Sequence, residues 1–292
     1  MTTAIVLQLV VAGLSSGSIY ALVGLGLMLA FKGTGIVNFA HGEFVAFGAY
    51  AALFFSVVLK LPYWEVVLLT LVLGAVVGVI FERTAIRMLM RAPPFTVVIA
   101  TLAIGLMVKN VLRLSWQESI STFPTPFDDL SLHVGELSIN PHYVWIICCS
   151  FAIMAVLAVM FRSTLLGKAM QAVSQNVVAA RLMGIRVSRI FSVTFAVSTT
   201  MAMRAGVLMA PVVGVESEMG SVILKGLVAA VVGGFESLPG CVFGGLVLGL
   251  LETFGGAFFG GTFKAVTAFV LLMVVLLVRP HGIFGRAEAR RV

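Results

Sequence analysis

Long stretches without a charged side chain are the feature that most constrains how this sequence can fold. No Asp, Glu, Lys or Arg precedes Lys32, and several later uncharged stretches exceed 15 residues. A helix needs roughly 20 predominantly apolar residues to cross about 30 Å of hydrocarbon. Only 11% of the 292 residues are charged, against about 25% in an ordinary soluble domain. The sequence therefore predicts an all-α polytopic membrane protein and excludes a soluble fold.

The apolar runs predict where the chain crosses the membrane. Spans are expected at 4–31, 39–59, 63–82, 95–115, 142–161, 190–211 and 264–278, with a glycine-broken region at 222–259. The first run is too long for a cleaved signal, so we expect a retained span. GGFESLPG (233–240) interrupts any continuous helix; it joins either two short half-spans or two short helices through a plain cytoplasmic turn. We expect about 8–9 transmembrane helices, with broken or re-entrant segments, in a single transmembrane domain over residues 1–292.

Charge divides the connecting segments into two classes. Basic residues dominate 82–94, 162–189 and 279–292, whereas 116–141 and 212–221 carry acids and no base. The positive-inside rule places the basic segments, and with them the carboxyl terminus, in the cytoplasm. This sorting and attraction to anionic membrane lipid account for the net charge of +7. Nucleic-acid binding is therefore not needed to explain the charge.

The basic segment 162–189 contains a candidate contact for a soluble partner. Its sequence AARLMGI (179–185) combines small residues with flanking arginines: Ala179, Ala180, Arg181, Gly184 and Arg186. A short helix with small side chains can dock in a groove, and arginines can orient it by charge. The alternative is a solvated basic linker held by lipid headgroups.

A second candidate site is the polar stretch GIVNFAHGEF (35–44) between two apolar runs. It places Asn38, His41 and Glu43 within six residues, where uncompensated polar groups are costly. In a structural role, Asn38 and His41 would satisfy backbone groups freed by a break in the helix. In a transport role, the three side chains would line an inner gate. We favour the structural role for Asn38 and leave both open for His41 and Glu43.

Other charged residues within predicted spans are candidates for a translocation pathway. Arg204 would face the pathway, snorkel, or pair with an acid of a partner. Lys225 and Glu252 bracket the broken region, where Lys225 could anchor the span at the interface and Glu252 could line a cavity. Lys109 and Arg113 are predicted to snorkel to the membrane surface.

Catalytic, cofactor and metal motifs are not found in the sequence. His41 and Glu43 do not have the HExxH spacing of a zinc protease, and no glycine-rich phosphate loop ends in Lys-Ser or Lys-Thr. Cys148, Cys149 and Cys241 lie in or beside apolar runs and are predicted to be small buried hydrophobes. We therefore expect no enzymatic activity, no cofactor and no metal.

Four motifs, in order along the chain, resemble one known family. They are GSIYALVGLGLMLAFKGTGIVNFAHGEFVAFGAY (17–50), GKAMQAVSQNVVAARLMGIRVSRI (167–190), KGLVAAVVGGFESLPGCVFGGLVLGLLE (225–252) and RPHGIFG (279–285). They resemble the LivH-type inner-membrane permeases of branched-chain amino acid ABC importers. In this family an acidic pair is common where this chain has Ser174, Gln175 and Asn176, so the charge of the partner contact is expected to differ.

The resemblance implies a permease domain that forms half of a translocation pathway for branched-chain or related amino acids in the bacterial inner membrane. It implies a second, LivM-like permease subunit, two cytoplasmic ATP-binding subunits and a periplasmic substrate-binding protein. The segment around Ala179, Ala180 and Gly184 would couple the permease to the ATP-binding subunits. The alternative is a secondary transporter of small polar solutes in which His41 and Glu43 relay protons.

Overall fold

A computed structural model describes residues 3–90, 92–116, 123–127, 132–134 and 137–285. Two groups of charged residues lie outside these ranges: the acidic residues of segment 116–141 and the arginines after residue 285. The chain forms two compact units. Unit 1 comprises Met1–Leu25, Phe127–Phe151 and Leu224–Val292, and unit 2 comprises Gly26–Pro126 and Ala152–Ile223.

Helices account for nearly all of the described residues. The α-helices are α1 (Thr3–Thr34), α2 (His41–Leu53), α3 (Tyr63–Phe81), α4 (Arg87–Leu89), α5 (Pro94–Ser115), α6 (Pro141–Ser163), α7 (Leu165–Gln175), α8 (Val177–Leu182), α9 (Val187–Val213), α10 (Val222–Gly233), α11 (Leu238–Phe259) and α12 (Gly261–Val278). π-helical turns extend α2 over Phe54–Val58 and join α3 to α4 over Glu82–Ile86, and a 3₁₀-helix covers Ser217–Ser221. Two short strands, β1 (Leu132–Val134) and β2 (Leu137–Ile139), pair antiparallel with each other.

Eight segments of the described chain are long and apolar enough to cross a membrane. They are α1, His41–Val58, Tyr63–Leu89, α5, α6, α9, α11 and α12. The prediction of an all-α polytopic membrane protein is confirmed, and most predicted span limits lie within three residues of the observed helices. The largest extension is at Leu89, because the π-helical turn carries the third span beyond its apolar run.

The broken region differs from the expectation of two short half-spans. α10 is short, with 12 residues, but α11 has 22 residues and is long enough to cross the membrane by itself. The break lies within the predicted GGFESLPG, because Gly234 adopts a φ of +102° and Ser237 caps α11 by accepting a hydrogen bond from the Gly240 amide at 3.1 Å. One half-length helix therefore precedes one complete span.

Unit 2 is built around α9, which packs against α2 and α3. A Cβ added at Gly74 of α3 would lie 2.8 Å from the Thr200 Cα of α9, so only glycine permits this approach of the two backbones. Small residues at helix contacts are typical of membrane proteins, because close packing replaces the hydrophobic driving force between helices. Phe81 and Phe195 pack beside this contact, with ring centroids 6.1 Å apart.

In unit 1, glycines likewise allow the backbones of α1 and α11 to approach closely. A Cβ at Gly17 would lie 2.8 Å from the Leu246 Cα, and a Cβ at Gly24 would lie 2.8 Å from the Cys241 Sγ. Cys241 is buried in this contact, whereas Cys148 is exposed and Cys149 is intermediate. The prediction of a buried cysteine is therefore confirmed for Cys241 and wrong for the other two, because they lie on a helix that keeps part of its surface outside the protein core.

Candidate functional site

The polar stretch before α2 forms a compact turn within unit 2. The Asn38 side chain is buried, and its Oδ1 accepts a hydrogen bond from the Ala40 amide at 3.1 Å. The Asn38 carbonyl accepts from the His41 amide at 3.2 Å, and the Thr101 Oγ1 accepts from the Phe39 amide at 3.4 Å. These bonds satisfy backbone groups where no helix can do so, which is the structural role expected of Asn38.

His41 is fully buried at the start of α2. Its Nδ1 lies 3.4 Å from the Ser198 Oγ, and the Ser198 hydroxyl donates to the Gly26 carbonyl at 2.7 Å. Because that single hydroxyl proton is used on Gly26, Ser198 can only accept from His41, so the geometry favours a proton on Nδ1. The ring therefore links α2 to α1 and α9 inside unit 2.

Glu43 lies in the first turn of α2, two residues after His41, and is only half-buried. Its carboxylate lies against Gly220 of the 3₁₀-helix. Nearby, the Lys109 Nζ forms an ion pair with the Glu218 Oε1 at 2.7 Å. The Lys109 ammonium group is therefore paired within unit 2, and the expectation that Lys109 snorkels stays a prediction.

Arg204 lies in the middle of α9 and is buried. Its Nη1 donates a hydrogen bond to the Val67 carbonyl of α3 at 2.9 Å. A carbonyl is one of the few groups available to a guanidinium at membrane depth. Arg204 thus cross-links two helices of unit 2, and a role in the pathway stays a prediction.

Lys225 and Glu252 come together within unit 1. The Lys225 Nζ lies 2.6 Å from the Glu252 Oε1 and donates to the Tyr20 hydroxyl at 3.2 Å. The Glu252 side chain is only 1% exposed, whereas that of Lys225 is 31% exposed. α1, α10 and α11 therefore meet at an ion pair whose carboxylate is buried.

The predicted coupling segment folds into two short helices ahead of α9. Thr164 caps α7 by accepting from the Gly167 amide at 3.0 Å. Asn176 caps α8 by accepting from the amides of Val178 and Ala179 at 3.0 and 2.9 Å. Asn176 is thus the residue that ends one helix and starts the next.

The side chains of α8, and of the residues that follow it up to Arg186, divide into a buried and an exposed set. Ala180 is buried with Val173, Val187 and Phe191 in a small core. Ala179, Arg181, Gly184 and Arg186 are exposed. The exposed set also includes three large apolar residues that sequence reasoning missed: Val178, which is 68% exposed, and the adjacent Leu182 and Met183, each 83% exposed. Apolar residues at adjacent positions in a basic, polar segment were the signal that could have identified them.

Gly184 has a specific backbone role at the end of α8. Its φ is +83°, and a Cβ there would meet no atom within 4 Å. The Ile185 amide donates to the Ala180 carbonyl at 3.0 Å, which closes the helix end. The glycine is therefore needed for its left-handed conformation and not for space.

We expect Gly184→Ala to destabilise the end of α8 by about 1 kcal/mol, because an L side chain disfavours that conformation. Amide hydrogen exchange over Val177–Leu182 should then be about fivefold faster. Gly184→Asn is the matched control, since asparagine tolerates a positive φ, and it should exchange nearly as slowly as the wild-type chain. Equal exchange in the alanine and asparagine variants would contradict this role of Gly184.

A further ion pair in unit 2 was not predicted. Glu82 is fully buried in the π-helical turn and accepts from the Arg87 Nε and Nη2 at 3.1 and 3.0 Å. The Ser192 hydroxyl donates to the same carboxylate at 2.6 Å. Sequence reasoning treated Arg87 only as a basic loop residue, and the partner Ser192 is 110 positions from Glu82, too distant for a local pattern to reveal.

Clusters of metal-binding side chains are absent from the part of the chain that the structure describes. Among the residues that the structure describes, no group of three or more His, Cys, Asp or Glu side chains could hold a metal ion. The charged groups instead lie along membrane-spanning helices, which is typical of proteins that move polar solutes.

Comparison with known proteins identifies the family. The family model described as branched-chain amino acid transport system / permease component matches residues 9–278. The high-affinity branched-chain amino acid transport system permease protein BraD of Pseudomonas aeruginosa is 32% identical, covering 98% of both chains. LivH of Escherichia coli strain K12 is 30% identical, covering 98% of this chain and 97% of its own.

A solved structure shares the fold. PsaBC from Streptococcus pneumoniae, solved in complex with a Fab, matches with a TM-score of 0.56 and 16% identity, covering 97% of this chain and 95% of that one. At this identity the likeness concerns the fold alone. The match of the family model over nearly the whole chain shows that this multi-pass membrane protein belongs to the branched-chain amino acid transport system permease family.

Proposed function

We propose that the chain is the permease subunit of a binding-protein-dependent ABC importer and forms half of a pathway for branched-chain or related amino acids. The observation that carries this proposal is the similarity over 98% of both chains to BraD, a permease named for branched-chain amino acid transport. The chain supplies the membrane pathway, and separate ATP-binding subunits hydrolyse ATP. It catalyses no reaction itself.

Four kinds of partner follow from this role. Two cytoplasmic ATP-binding subunits drive transport, a LivM-like permease completes the pathway, a periplasmic protein delivers substrate, and membrane lipid surrounds the apolar helices. Basic residues between α3 and α5 and between α6 and α9 favour a cytoplasmic position for those segments. The carboxyl terminus lies on the same side in this arrangement.

The exposed surface of α8 is the coupling contact in this proposal. Leu182 and Met183 protrude as apolar anchors, and Arg181 and Arg186 flank them. Apolar anchors in a partner's groove supply binding energy, whereas charges at the rim set orientation. Ala180 faces the small core behind the helix, so it supports the contact from within while Ala179 and Gly184 lie on its outer side.

Movement of this contact would reach the pathway through α9. The core behind α8 includes Val187 and Phe191 of that helix. Ser192 and Arg204 then join α9 to the π-helical turn and to α3 through hydrogen bonds. A displacement of α8 therefore acts on α9. The same helix packs against α2, which follows the polar stretch at 35–44.

Transport of labelled leucine into proteoliposomes tests the substrate class. The vesicles contain both permeases, the ATP-binding subunits and ATP, with the binding protein added outside. We expect unlabelled isoleucine and valine to inhibit uptake and urea to leave it unchanged. Inhibition by urea, with none by isoleucine or valine, would contradict a pathway for branched-chain amino acids.

A secondary transporter is the second candidate, because His41 and Glu43 lie close in sequence at the entry to α2. A proton relay needs groups that exchange protons along a pathway. Complete burial of His41 beside Ser198 argues for a structural histidine. The energy source of uptake separates the two functions.

A further inference from the structure

The half-buried Glu43 is held at a junction of three elements of unit 2. A Cβ added at Gly105 of α5 would lie 3.4 Å from the Glu43 Cγ. A Cβ added at Gly220 would lie 2.5 Å from both carboxylate oxygens. Gly220 therefore makes room for this side chain, which lies between α2, α5 and the 3₁₀-helix.

A cation and a second acid lie beside it. Lys109 is one helical turn beyond Gly105 on α5, and its Nζ binds the Glu218 Oε1 at 2.7 Å. Glu218 is two residues before Gly220, which the Glu43 carboxylate covers. The Lys109 charge attracts the Glu43 carboxylate and the Glu218 charge repels it. α2, α5 and the 3₁₀-helix thus bring together two acids, Glu43 and Glu218, and one base, Lys109.

Glu43 lies beside the middle of α5, a helix long enough to cross the membrane. α5 runs from Pro94 to Ser115, and Gly105 lies half-way along it, about 16 Å from its first residue at 1.5 Å per residue. That distance is about half of the 30 Å hydrocarbon core. Charged side chains within membrane-spanning segments face a protein interior or a water-filled cavity and often mark substrate pathways.

Both members of the Lys109–Glu218 ion pair are partly exposed, whereas the carboxylates of the Arg87–Glu82 and Lys225–Glu252 pairs are buried. The side chains of Lys109 and Glu218 are 25% and 65% exposed. The carboxylates in the two other pairs, Glu82 and Glu252, are 0% and 1% exposed. The buried Glu43 Oε2 accepts no hydrogen bond from any described residue, and leaving such an atom unsatisfied is costly. A ligand with a hydrogen-bond donor would remove that cost.

We propose that Glu43 and Lys109 form a binding site for the zwitterionic backbone of an α-amino acid. The Glu43 carboxylate accepts hydrogen bonds from the ammonium group of the ligand, and the Lys109 ammonium binds its carboxylate in competition with Glu218. Charge-assisted bonds of this kind are the strong ones. The site rests on the proposed function, deepens it by naming residues that hold the substrate, and recognises the part that all α-amino acids share.

The test is equilibrium binding to the purified permease and ATP-binding complex without the binding protein. The probes are leucine, leucinamide, which lacks the carboxylate, and isocaproate, which lacks the ammonium group. We expect Glu43→Gln and Lys109→Met each to raise the Kd for leucine by about tenfold, the loss of one charge-assisted contact. Lys109→Arg should bind leucine almost as well as the wild-type complex.

A crossed pattern distinguishes binding from a structural role. Lys109→Met should leave the Kd of leucinamide unchanged, and Glu43→Gln should leave that of isocaproate unchanged, because each variant removes the partner of a group that the analogue lacks. Arg113→Met, one turn further along α5, is the matched control and should bind all three probes like the wild-type complex.

Three outcomes would overturn the site. They are no leucine binding by the wild-type complex, unchanged leucine binding in both variants, and equal loss of all three probes in each variant. ATP-dependent leucine uptake by the wild-type importer is measured alongside. If that uptake is present and the crossed pattern is absent, only this site fails; if ATP-dependent uptake is itself absent, the proposed function fails.

Discussion

Replacement of Leu182 and Met183 by aspartate should abolish ATP-dependent uptake while leaving the protein inserted in the membrane. Each side chain is 83% exposed, so their loss costs the fold little. Burying one such side chain at an interface contributes about 1.5 to 3 kcal/mol, and the double variant should bind the ATP-binding subunits at least about 100-fold more weakly. Co-purification with those subunits and uptake in vesicles measure the two effects.

The matched control is Ser174→Asp with Gln175→Asp. It adds the same two charges to exposed positions of the same segment and removes no large apolar side chain. We expect this control to retain both assembly and uptake. Normal co-purification of the Leu182 and Met183 double variant, or equal loss in the control, would show that these residues are not the anchors.

Substitution of Lys225 by methionine should destabilise unit 1 by about 3 kcal/mol. It leaves the Glu252 carboxylate, 1% exposed, without the cation at 2.6 Å that compensates for its burial. Breaking a buried pair typically costs about 3 to 5 kcal/mol, and the 31% exposure of Lys225 favours the lower end. The midpoint of thermal unfolding in detergent measures the loss.

The double variant Lys225→Met with Glu252→Gln tests the cause. Removing both charges avoids an uncompensated carboxylate, so we expect it to regain much of the stability lost in the single variant. An unchanged unfolding midpoint in Lys225→Met would contradict the importance of the pair, as would a double variant less stable than the single one.

Sequence patterns predicted the spans well because hydrocarbon thickness sets their length. The runs at 95–115 and 142–161 lie within one or two residues of α5 and α6. The glycine and proline pattern also predicted the break between α10 and α11. α10 ends just before Gly234, and Ser237 caps the start of α11. The length of α11 was not predicted, because two short segments were expected on either side of the break at GGFESLPG. The glycines of α11 instead make close contacts with α1 and α10 along one complete span.

Side-chain roles were harder to predict, since they depend on contacts between distant parts of the chain. Lys109 and Glu218 are 109 positions apart, and no local spacing links them. Ala180 faces a core that exists only once α7 and α9 pack together. In contrast, the role of Asn38 depends on its immediate neighbours, which is why the sequence favoured a structural interpretation for it.

The energy source of uptake tests the central claim most directly. Labelled leucine and its binding protein are presented to proteoliposomes that contain both permeases, with and without the ATP-binding subunits, under either internal ATP or an imposed proton gradient. We predict uptake only when the ATP-binding subunits and ATP are both present. Uptake driven by the proton gradient in vesicles that lack the ATP-binding subunits would contradict an ABC importer permease and favour a secondary transporter.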